Sequence, residues 1–483
     1  MNILLEHIGI IEEADVILEG LTVISGKNNS GKTTVGKVLY SLIDAVANLV
    51  KNSEADKISY IQRQLGVISN IWRMFSVILY SPSDKNNDTL SDFPNFKQLF
   101  FGGRKRFVSL DEIKVFAMKV RDELISLEAS DIGTSELLNF YLGIDRNADK
   151  SSFEDRFNDQ KEDSLSILDN MFIDIEKDKD LVHYTRERIN QTLLVEFSNQ
   201  IQPVKKNVKN SKVMFYDERD VFFKFNIVDN RIIDEKKPVF FGSPFNKVHM
   251  IDDPYALDEE AQGRFNFHQD EIKSETILNF ERIDSHRDKL RRVLRSKSQT
   301  SVFEKLLLFE NLNKLQEKIN DVIPGEFDFN EDGEFYVDRG KKLQLSNLAT
   351  GSKLFAMLKI LLEKGEITNS TLLILDEPEA HLHPEWQNAL AEVIILLVKE
   401  LEVCVLLTTH STNFLLALDA YMRKYNISNQ TNFYQTETLD NGLVRYKCVN
   451  EDLGEIYKDF YRYLAEMKVL RDYYLFSRDE SDY

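Results

Sequence analysis

Short apolar runs separated by polar turns fill residues 2–25, and this pattern predicts β-strands. The runs are ILLEHIGI, DVILEG and LTVISG. From residue 35 to about residue 80 the apolar positions recur at helical spacing, and they do so again, among dense charges, over about 108–200. A polar break at 81–96 separates the two helical stretches. The pattern therefore predicts a sheet at the start of the chain and several helices after it.

Alternating apolar and aromatic positions return at Lys212, where KVMFYDE, DVFFKFNIVD, PVFFG and KVHMID predict a β-meander. A second helical stretch covers about 269–322. The segment EFDFNEDGEFYVD then predicts a β-hairpin, because Asp332-Gly333 is a favoured tight turn between two aromatic strands.

The segment VISGKNNSGKTT, Val23–Thr34, contains the complete phosphate-loop pattern between a predicted strand and a predicted helix. Glycines in such a loop let consecutive backbone N–H groups point at phosphate oxygens, and the helix N-terminus adds partial positive charge. Lys32 is expected to reach the β- and γ-phosphates, and the Thr33 hydroxyl to ligate Mg²⁺. This agreement of strand, loop and helix favours nucleotide binding over a chance glycine turn.

The segment TLLILDEPEAHLHP places Asp376 and Glu377 at the end of a buried strand, where ligands bind in parallel sheets. We expect Asp376 to hold Mg²⁺, directly or through water, and Glu377 to polarise the attacking water. An acidic pair after a strand is by itself more often a solvated turn, but the phosphate loop favours the functional interpretation. The next strand, VCVLLTTHS, ends near His410, which is either a polar cap or a sensor of the γ-phosphate.

Composition and charge describe a soluble globular chain of 483 residues, 42% hydrophobic and 29% charged. The net charge of −19 argues against general adhesion to nucleic acid or anionic membranes, although a local basic patch stays open. Two cysteines are too few for a disulfide framework, and no apolar window is long enough to span a membrane. We therefore expect a cytoplasmic protein with no membrane association.

The small residues Ala349-Thr350-Gly351-Ser352 precede a strongly periodic predicted helix in LQLSNLATGSKLFAMLKILLEKG. Taken alone, they are a helix N-cap. With GKNNSGKTT, LLILDEPEAHLHPEWQ and TTHS, however, the segment NLATGSK completes a set of motifs that resembles an ABC-type ATPase of the SMC, RecF and OLD grouping. These motifs lie within residues 1–50 and 340–425.

The resemblance implies an α/β fold, an ABC-type P-loop ATPase head with a mixed sheet and a β-rich lobe, which carries a large, mainly helical insertion. It implies ATP and Mg²⁺ as cofactors. It also implies a head-to-tail dimer or higher oligomer, in which the signature helix of one head closes over ATP bound by the other.

Transferred to this chain, the resemblance assigns three sets of site residues. The catalytic residues are Glu377, His410 and Lys32, and the metal ligands are Thr33 and Asp376. Nucleotide binding falls to Gly26, Asn29, Ser30, Gly31, Lys32, Thr33 and Thr34, and, across the dimer, to Ala349, Thr350, Gly351, Ser352 and Lys353.

Three positions depart from the family pattern or stay open. Ala349 stands where the signature usually has serine, so a hydroxyl contact to the γ-phosphate is missing or is supplied by Thr350 or Ser352, and we expect slow or partner-dependent turnover. The glutamine loop has no glutamine at its candidate place, VHMIDDPYALDEE. His381 and His383, in EAHLHP, occupy the place of the dimer-contact loop, with metal ligation as the alternative.

These patterns predict six segments along the chain. They are the N-terminal part of the head with the phosphate loop (1–80), a mainly helical insertion (81–210), a β-meander (211–260), a helical segment (261–325), the C-terminal part of the head (326–425) and a docking tail (426–483).

A stand-alone ATPase with LDEPEAHLHPEWQ also resembles the ATPase subunits of bacterial anti-phage systems, such as Septu and the related retron systems. That resemblance implies an ATP-binding sensor or scaffold that restrains a separate nuclease, often of the HNH type. The alternative is a DNA-repair ATPase that binds duplex through Arg291, Arg292 and Arg295. A regulator that binds ATP without hydrolysing it is the third hypothesis.

Overall fold

The computed structural model describes residues 1–47, 49–72, 92–101, 107, 109–129, 150–176, 181–203, 210–233, 239–240, 243–258, 284–296, 313–330 and 333–476. The chain divides into two compact units. We call Met1–Ala47 with Val182–Tyr483 the head, and Asn48–Leu181 the helical unit.

The strands of the head, in chain order, are β1 (Asn2–Ile8), β2 (Ile11–Ile17), β3 (Leu21–Ser25), β4 (Ser211–Tyr216), β5 (Val221–Val228), β6 (Arg231–Ile233), β7 (Val239–Phe240), β8 (Lys247–Ile251), β9 (Glu326–Asn330), β10 (Gly333–Asp338), β11 (Lys341–Gln344), β12 (Thr371–Asp376), β13 (Cys404–Thr409), β14 (Thr431–Thr438) and β15 (Val444–Cys448).

The described helices are α1 (Lys32–Val46), α2 (Leu49–Ile71), α3 (Pro94–Phe101), α4 (Leu110–Ser126), α5 (Lys150–Glu176), α6 (Leu181–Glu196), α7 (His286–Arg295), α8 (Asn313–Val322), α9 (Thr350–Glu363), α10 (Pro384–Leu401), α11 (Thr412–Tyr425) and α12 (Gly454–Phe476). No helix among the described residues combines the length and apolar character that a membrane crossing needs.

One large mixed sheet organises the head, in the order β6-β5-β4-β1-β2-β15-β14-β3-β13-β12-β8, with β7 paired to β5. Strands β14, β3, β13, β12 and β8 are parallel to one another, whereas β1, β2, β4, β5 and β6 form an antiparallel lobe. Strand β15 joins the two parts, because it pairs antiparallel with β14 and parallel with β2. The carboxyl ends of the parallel strands therefore meet at one edge. The mixed sheet, its β-rich lobe and the separate helical unit confirm the predicted fold class.

The central strands are apolar on both faces because helices cover both sides of the parallel sheet. Leu373 and Leu375 of β12 pack into a core with α9, α10 and α11. Leu372 and Ile374, which alternate with them, pack into a second core with α1. This two-sided burial explains why TLLILD is a continuous apolar run.

The helical unit has a separate aromatic core around Trp72. The indole packs edge-on against Phe96 and Phe157, and its Nε1 donates a 2.9 Å hydrogen bond to the Ser164 hydroxyl. The sequence predicts a helical insertion over 81–210, whereas the compact unit begins at Asn48 and ends at Leu181. Helix α2 therefore belongs to the helical unit, and nearly all of α6 to the head.

Strand β8 does not continue the predicted meander. Strands β4, β5 and β6 pair in sequence, but β8 pairs in parallel with β12 at the opposite end of the sheet. The alternation of apolar and polar residues in KVHMID predicts a strand, but it does not predict which strand it pairs with. The pairing of β8 with β12 therefore could not be predicted from the sequence. The hairpin of β9 and β10 is confirmed, although residue 332 of its turn lies outside the described residues.

Candidate active site

The phosphate loop links the end of β3 to the start of α1, as its motif predicts. Gly31 has a φ of 76°, which favours glycine. A Cβ on Gly26 would lie 1.8 Å from the Thr436 hydroxyl, so the loop also needs a glycine there. Thr436 donates a 2.8 Å hydrogen bond to the Ser30 hydroxyl, and Tyr446 donates one of 2.8 Å to the Gly31 carbonyl. Side chains of β14 and β15 thus support the loop.

Lys32 lies inside the loop with its side chain only 4% exposed. Its Nζ donates to the carbonyl oxygens of Gly26 (3.0 Å) and Lys27 (2.8 Å). The same Nζ is 3.2 Å from Glu377 Oε1. The loop lysine and the carboxylate at the end of β12, far apart in sequence, therefore share one site.

Thr33 and Asp376 meet where the motifs predict a metal ion. The Thr33 hydroxyl donates a 2.7 Å hydrogen bond to Asp376 Oδ2, and the Thr408 hydroxyl donates to Oδ1. Burial raises the pKa of Asp376, although both hydroxyl bonds oppose that shift. A hydroxyl and a carboxylate in contact beside a phosphate loop are the oxygen ligands that Mg²⁺ prefers, so the residues fit this ion.

Glu377 follows with an unusual backbone. Its φ is 48°, a left-handed conformation that is costly for a residue with a side chain and is frequent at functional sites. Its N–H donates 3.1 Å hydrogen bonds to the carbonyl and hydroxyl oxygens of Thr408. Glu377 Oε1 lies 3.2 Å from His410 Nδ1. The structure thus brings Lys32 and His410 together around the Glu377 carboxylate.

A cavity of about 550 Å³ opens beside this cluster. Its lining includes six of the seven predicted phosphate-loop residues, the exception being Gly26, together with Asp376 and Glu377. Residues from the β1–β2 turn and from the end of α6 complete the wall. A volume of this size is typical of a small-molecule site.

The signature residues lie at the start of α9, away from that cavity. Ala349 is the exposed N-cap and makes no side-chain capping bond. Thr350 lines a second cavity of about 330 Å³ that shares Asp376 and Glu377 with the first. Lys353 is buried, and its Nζ donates to Asp258 and lies 5.2 Å from the Tyr255 ring centroid. The Lys353 ammonium is therefore engaged within its own chain.

A buried ion-pair cluster beside the site was not predicted. His286 lies between Glu196 and Asp252, with Nδ1 2.5 Å from Glu196 Oε2 and Nε2 3.0 Å from Asp252 Oδ2. Burial lowers the pKa of His286, but the two carboxylates outweigh it and raise the pKa to about 9. Arg287 adds a bidentate contact to Asp252, from Nε to Oδ1 (2.9 Å) and from Nη2 to Oδ2 (2.8 Å). The only sequence signal was the acidic pair at the end of β8.

The predicted basic surface is a packed helix. Arg291, Arg292 and Arg295 are paired with Asp288, Asp284 and Glu334, respectively, within the head. Helix α7 also buries Leu290 and Leu294. Its cations therefore face acids of the same chain.

His381 and His383 do not converge on a metal site. His383 is the N-cap of α10, and its Nδ1 accepts a hydrogen bond from the Glu385 N–H at 3.4 Å. The His381 ring lies edge-on to Tyr255, 6.1 Å between centroids. Within the described part of the chain, no group of three or more histidine, cysteine or acidic side chains is placed to hold a metal ion.

A family model described as an AAA ATPase domain matches residues 6–415. The chain belongs to this ATPase family. No curated protein matches it significantly.

Three solved structures are among those that match this chain. The SMC head domain from Thermotoga maritima is 10% identical, over 93% of this chain and 98% of that chain, with a TM-score of 0.34. An SMC head bound to the C-terminal winged-helix domain of ScpA is 9% identical, over 94% and 98%, with a TM-score of 0.37. An SMC head with an extended coiled coil, bound to the C-terminal domain of ScpA from Pyrococcus furiosus, is 9% identical, over 97% and 98%, with a TM-score of 0.29.

Proposed function

We propose that this protein is an ABC-type ATPase that hydrolyses Mg²⁺-ATP in a head-to-tail dimer and regulates a separate nuclease in anti-phage defence. The observation that carries the ATPase assignment is the convergence of Lys32, Thr33, Asp376, Glu377 and His410 at the carboxyl ends of three neighbouring parallel strands.

Each of these residues has a defined task in hydrolysis. Lys32 would bind the β- and γ-phosphates, and Thr33 and Asp376 would hold Mg²⁺, which would supply charge stabilisation to the phosphates. Glu377 accepts a proton from the attacking water. His410, 3.2 Å from Glu377, would orient that carboxylate and contact the γ-phosphate.

The position of the signature residues supports the proposed head-to-tail dimer. Ala349 is exposed at the N-terminus of α9, where the positive end of the helix dipole suits a phosphate supplied from outside the chain. Thr350 lines the second cavity rather than the phosphate-loop cavity of its own chain. A second copy, related by a twofold axis, would place its α9 over this phosphate loop.

Co-expression of two inactive variants tests this arrangement. Lys32→Ala disables the phosphate loop, and Ala349→Glu puts a negative charge where the signature faces the partner's phosphates. In a mixed head-to-tail dimer one of the two sites keeps an intact loop and an intact signature, so ATP turnover should recover to about a quarter of wild type. No recovery above the two variants alone would contradict the shared site.

The regulatory role finds support in the C-terminal helix. Beyond the buried Ile456, helix α12 exposes a series of large apolar side chains: Tyr461, Met467, Val469, Leu470, Tyr473 and Tyr474. Such a concentration of exposed apolar side chains is typical of a protein-binding surface. We propose that the nuclease docks here.

Co-purification with the products of neighbouring genes tests the docking. Val469→Glu with Tyr473→Glu should release a nuclease that wild type retains, while ATP turnover is unchanged. Val115→Glu, at an exposed position of α4, is the matched control and should retain it. A nuclease that stays bound to the α12 variant, or a wild-type protein that retains none, would contradict this part of the proposal.

A further inference from the structure

Part of the phosphate-loop cavity is lined by residues that the triphosphate and metal do not require. The loop, Asp376 and Glu377 account for those two groups. The remaining lining residues come from the β1–β2 turn, the second turn of α1 and the end of α6: Gly9, Ile10, Lys37, Glu196, Phe197 and Ser198. These residues are available to contact the rest of a nucleotide.

Phe197 provides this part of the cavity with an aromatic side chain. It is partly buried against the core that contains α1. The Lys37 Nζ lies 5.9 Å from its ring centroid and donates a 3.0 Å hydrogen bond to the Glu196 carbonyl. An aromatic ring and a cation are thus held side by side at the cavity wall.

The wall is fixed from both sides. The Glu196 carboxylate is buried, and it accepts a 2.8 Å hydrogen bond from the His286 N–H in addition to its contact with the imidazole. On the other side, the Gly9 N–H donates a 2.8 Å hydrogen bond to the Ile201 carbonyl. Between these anchors Ser198 and Asn199 have φ values of 50° and 65°, left-handed conformations that non-glycine residues seldom adopt. Such conformations persist where surrounding contacts impose them.

We propose that the end of α6 forms the base-binding wall of the nucleotide site, with Phe197 stacking on the planar base and Lys37 beside it. The ligand class is a nucleoside triphosphate rather than a bare polyphosphate. This inference rests on the proposed nucleotide site. It adds that residues at the end of α6, which follows the helical unit in the chain, bind the nucleoside. The phosphate-loop motifs do not specify contacts to the nucleoside.

Two ligands separate the wall from the loop. Mg²⁺-ATP contacts both, whereas Mg²⁺-tripolyphosphate contacts only the phosphate loop and metal ligands. Because a base stacked on an aromatic ring typically gains enough to change affinity tenfold, Phe197→Ala should weaken ATP binding about tenfold and leave tripolyphosphate binding unchanged. Phe197→Tyr should bind ATP as wild type does, and Phe197→Leu should behave like Phe197→Ala while filling more of the space.

Phe222→Leu removes a partly buried aromatic ring from the same core but away from the cavity, and it should change neither affinity. Parallel losses for ATP and tripolyphosphate in Phe197→Leu, or no loss for either, would overturn the base-binding wall. Failure of wild type to bind either ligand would instead overturn the proposed nucleotide site.

Discussion

Thr33 and Asp376 are 343 positions apart in the chain, and the threonine hydroxyl donates a 2.7 Å hydrogen bond to the aspartate carboxylate. This contact joins the start of α1 to the end of β12, the two segments that carry the phosphate loop and the acidic pair. Because the Thr408 hydroxyl holds the other carboxylate oxygen, Asp376 is fixed in place from two directions.

The first prediction concerns the metal. Thr33→Ala and Asp376→Asn should each remove most of the gain in ATP affinity that Mg²⁺ provides, because the first deletes the hydroxyl oxygen and the second removes the negative charge and one carboxylate oxygen. A metal contribution of several kcal/mol also predicts that ATP turnover falls at least about a hundredfold. Titration with labelled ATP, with Mg²⁺ or with EDTA, measures the effect. Ser428→Ala, at an exposed position of the head, is the control. A variant whose ATP affinity still rises with Mg²⁺ as in wild type would exclude its residue as a ligand.

The second prediction concerns the departure at Ala349. Ala349→Ser supplies the missing N-cap hydroxyl, which should stabilise the protein by about 1 kcal/mol. In the proposed dimer the same hydroxyl reaches a γ-phosphate, and one hydrogen bond to a charged group should raise turnover by up to roughly tenfold. Ala349→Gly, which caps without a hydroxyl, should show little change in turnover. Equal turnover in all three proteins would mean that Thr350 or Ser352 already supplies the contact.

The third prediction concerns Glu379, a buried acid that lies in the chain after Asp376 and Glu377 and before β13. Burial raises its pKa, and Oε1 accepts a hydrogen bond from the Thr409 hydroxyl. Its Oε2 has no hydrogen-bond partner among the described residues. Glu379→Gln, which keeps the shape without a charge, should therefore be at least as stable as wild type at neutral pH and should retain turnover.

Thr409→Val is the complementary change, because it leaves the Glu379 oxygen unsatisfied and should cost about 1–3 kcal/mol in urea unfolding. Thr409→Ser keeps the hydroxyl and serves as its control. A stable Thr409→Val protein, or a strongly destabilised Glu379→Gln protein, would contradict this account of the pair.

The fourth prediction concerns the pH dependence of stability. The pKa of His286 rises from an ordinary 6.5 to about 9, so its stabilisation is complete below about pH 6.5 and is lost as pH rises through 9. The free energy of unfolding should fall by roughly 3 kcal/mol over this range from this one group. His286→Gln should show a flatter pH profile there. Urea unfolding of both proteins at several pH values gives the difference, and identical slopes would show that His286 does not carry the proton.

The proximity of the candidate site residues could be predicted from the sequence more readily than the packing around them. Strands β3, β12 and β13 are continuous apolar runs that end in chemically distinctive residues, and parallel strands necessarily bring those ends to one edge of the sheet. The meeting of Lys32, Glu377 and His410 was therefore predictable from order along the chain.

Side-chain pairing between distant segments was not predictable in this way. Arg295 pairs with Glu334 and Lys353 pairs with Asp258, and neither partner could be inferred from the sequence. The contact between Glu196 and His286 joins α6 and α7, which precede and follow strands β4–β8 in the chain. No local periodicity in the sequence predicts such a pair.

The role of Glu377 as the general base is tested most directly by the rate of phosphate release from Mg²⁺-ATP by wild type and Glu377→Gln, measured at saturating ATP. If Glu377 is the general base, wild type releases phosphate and the variant does so at least about a hundredfold more slowly while it still binds ATP. Phosphate release by Glu377→Gln at the wild-type rate would contradict the assignment.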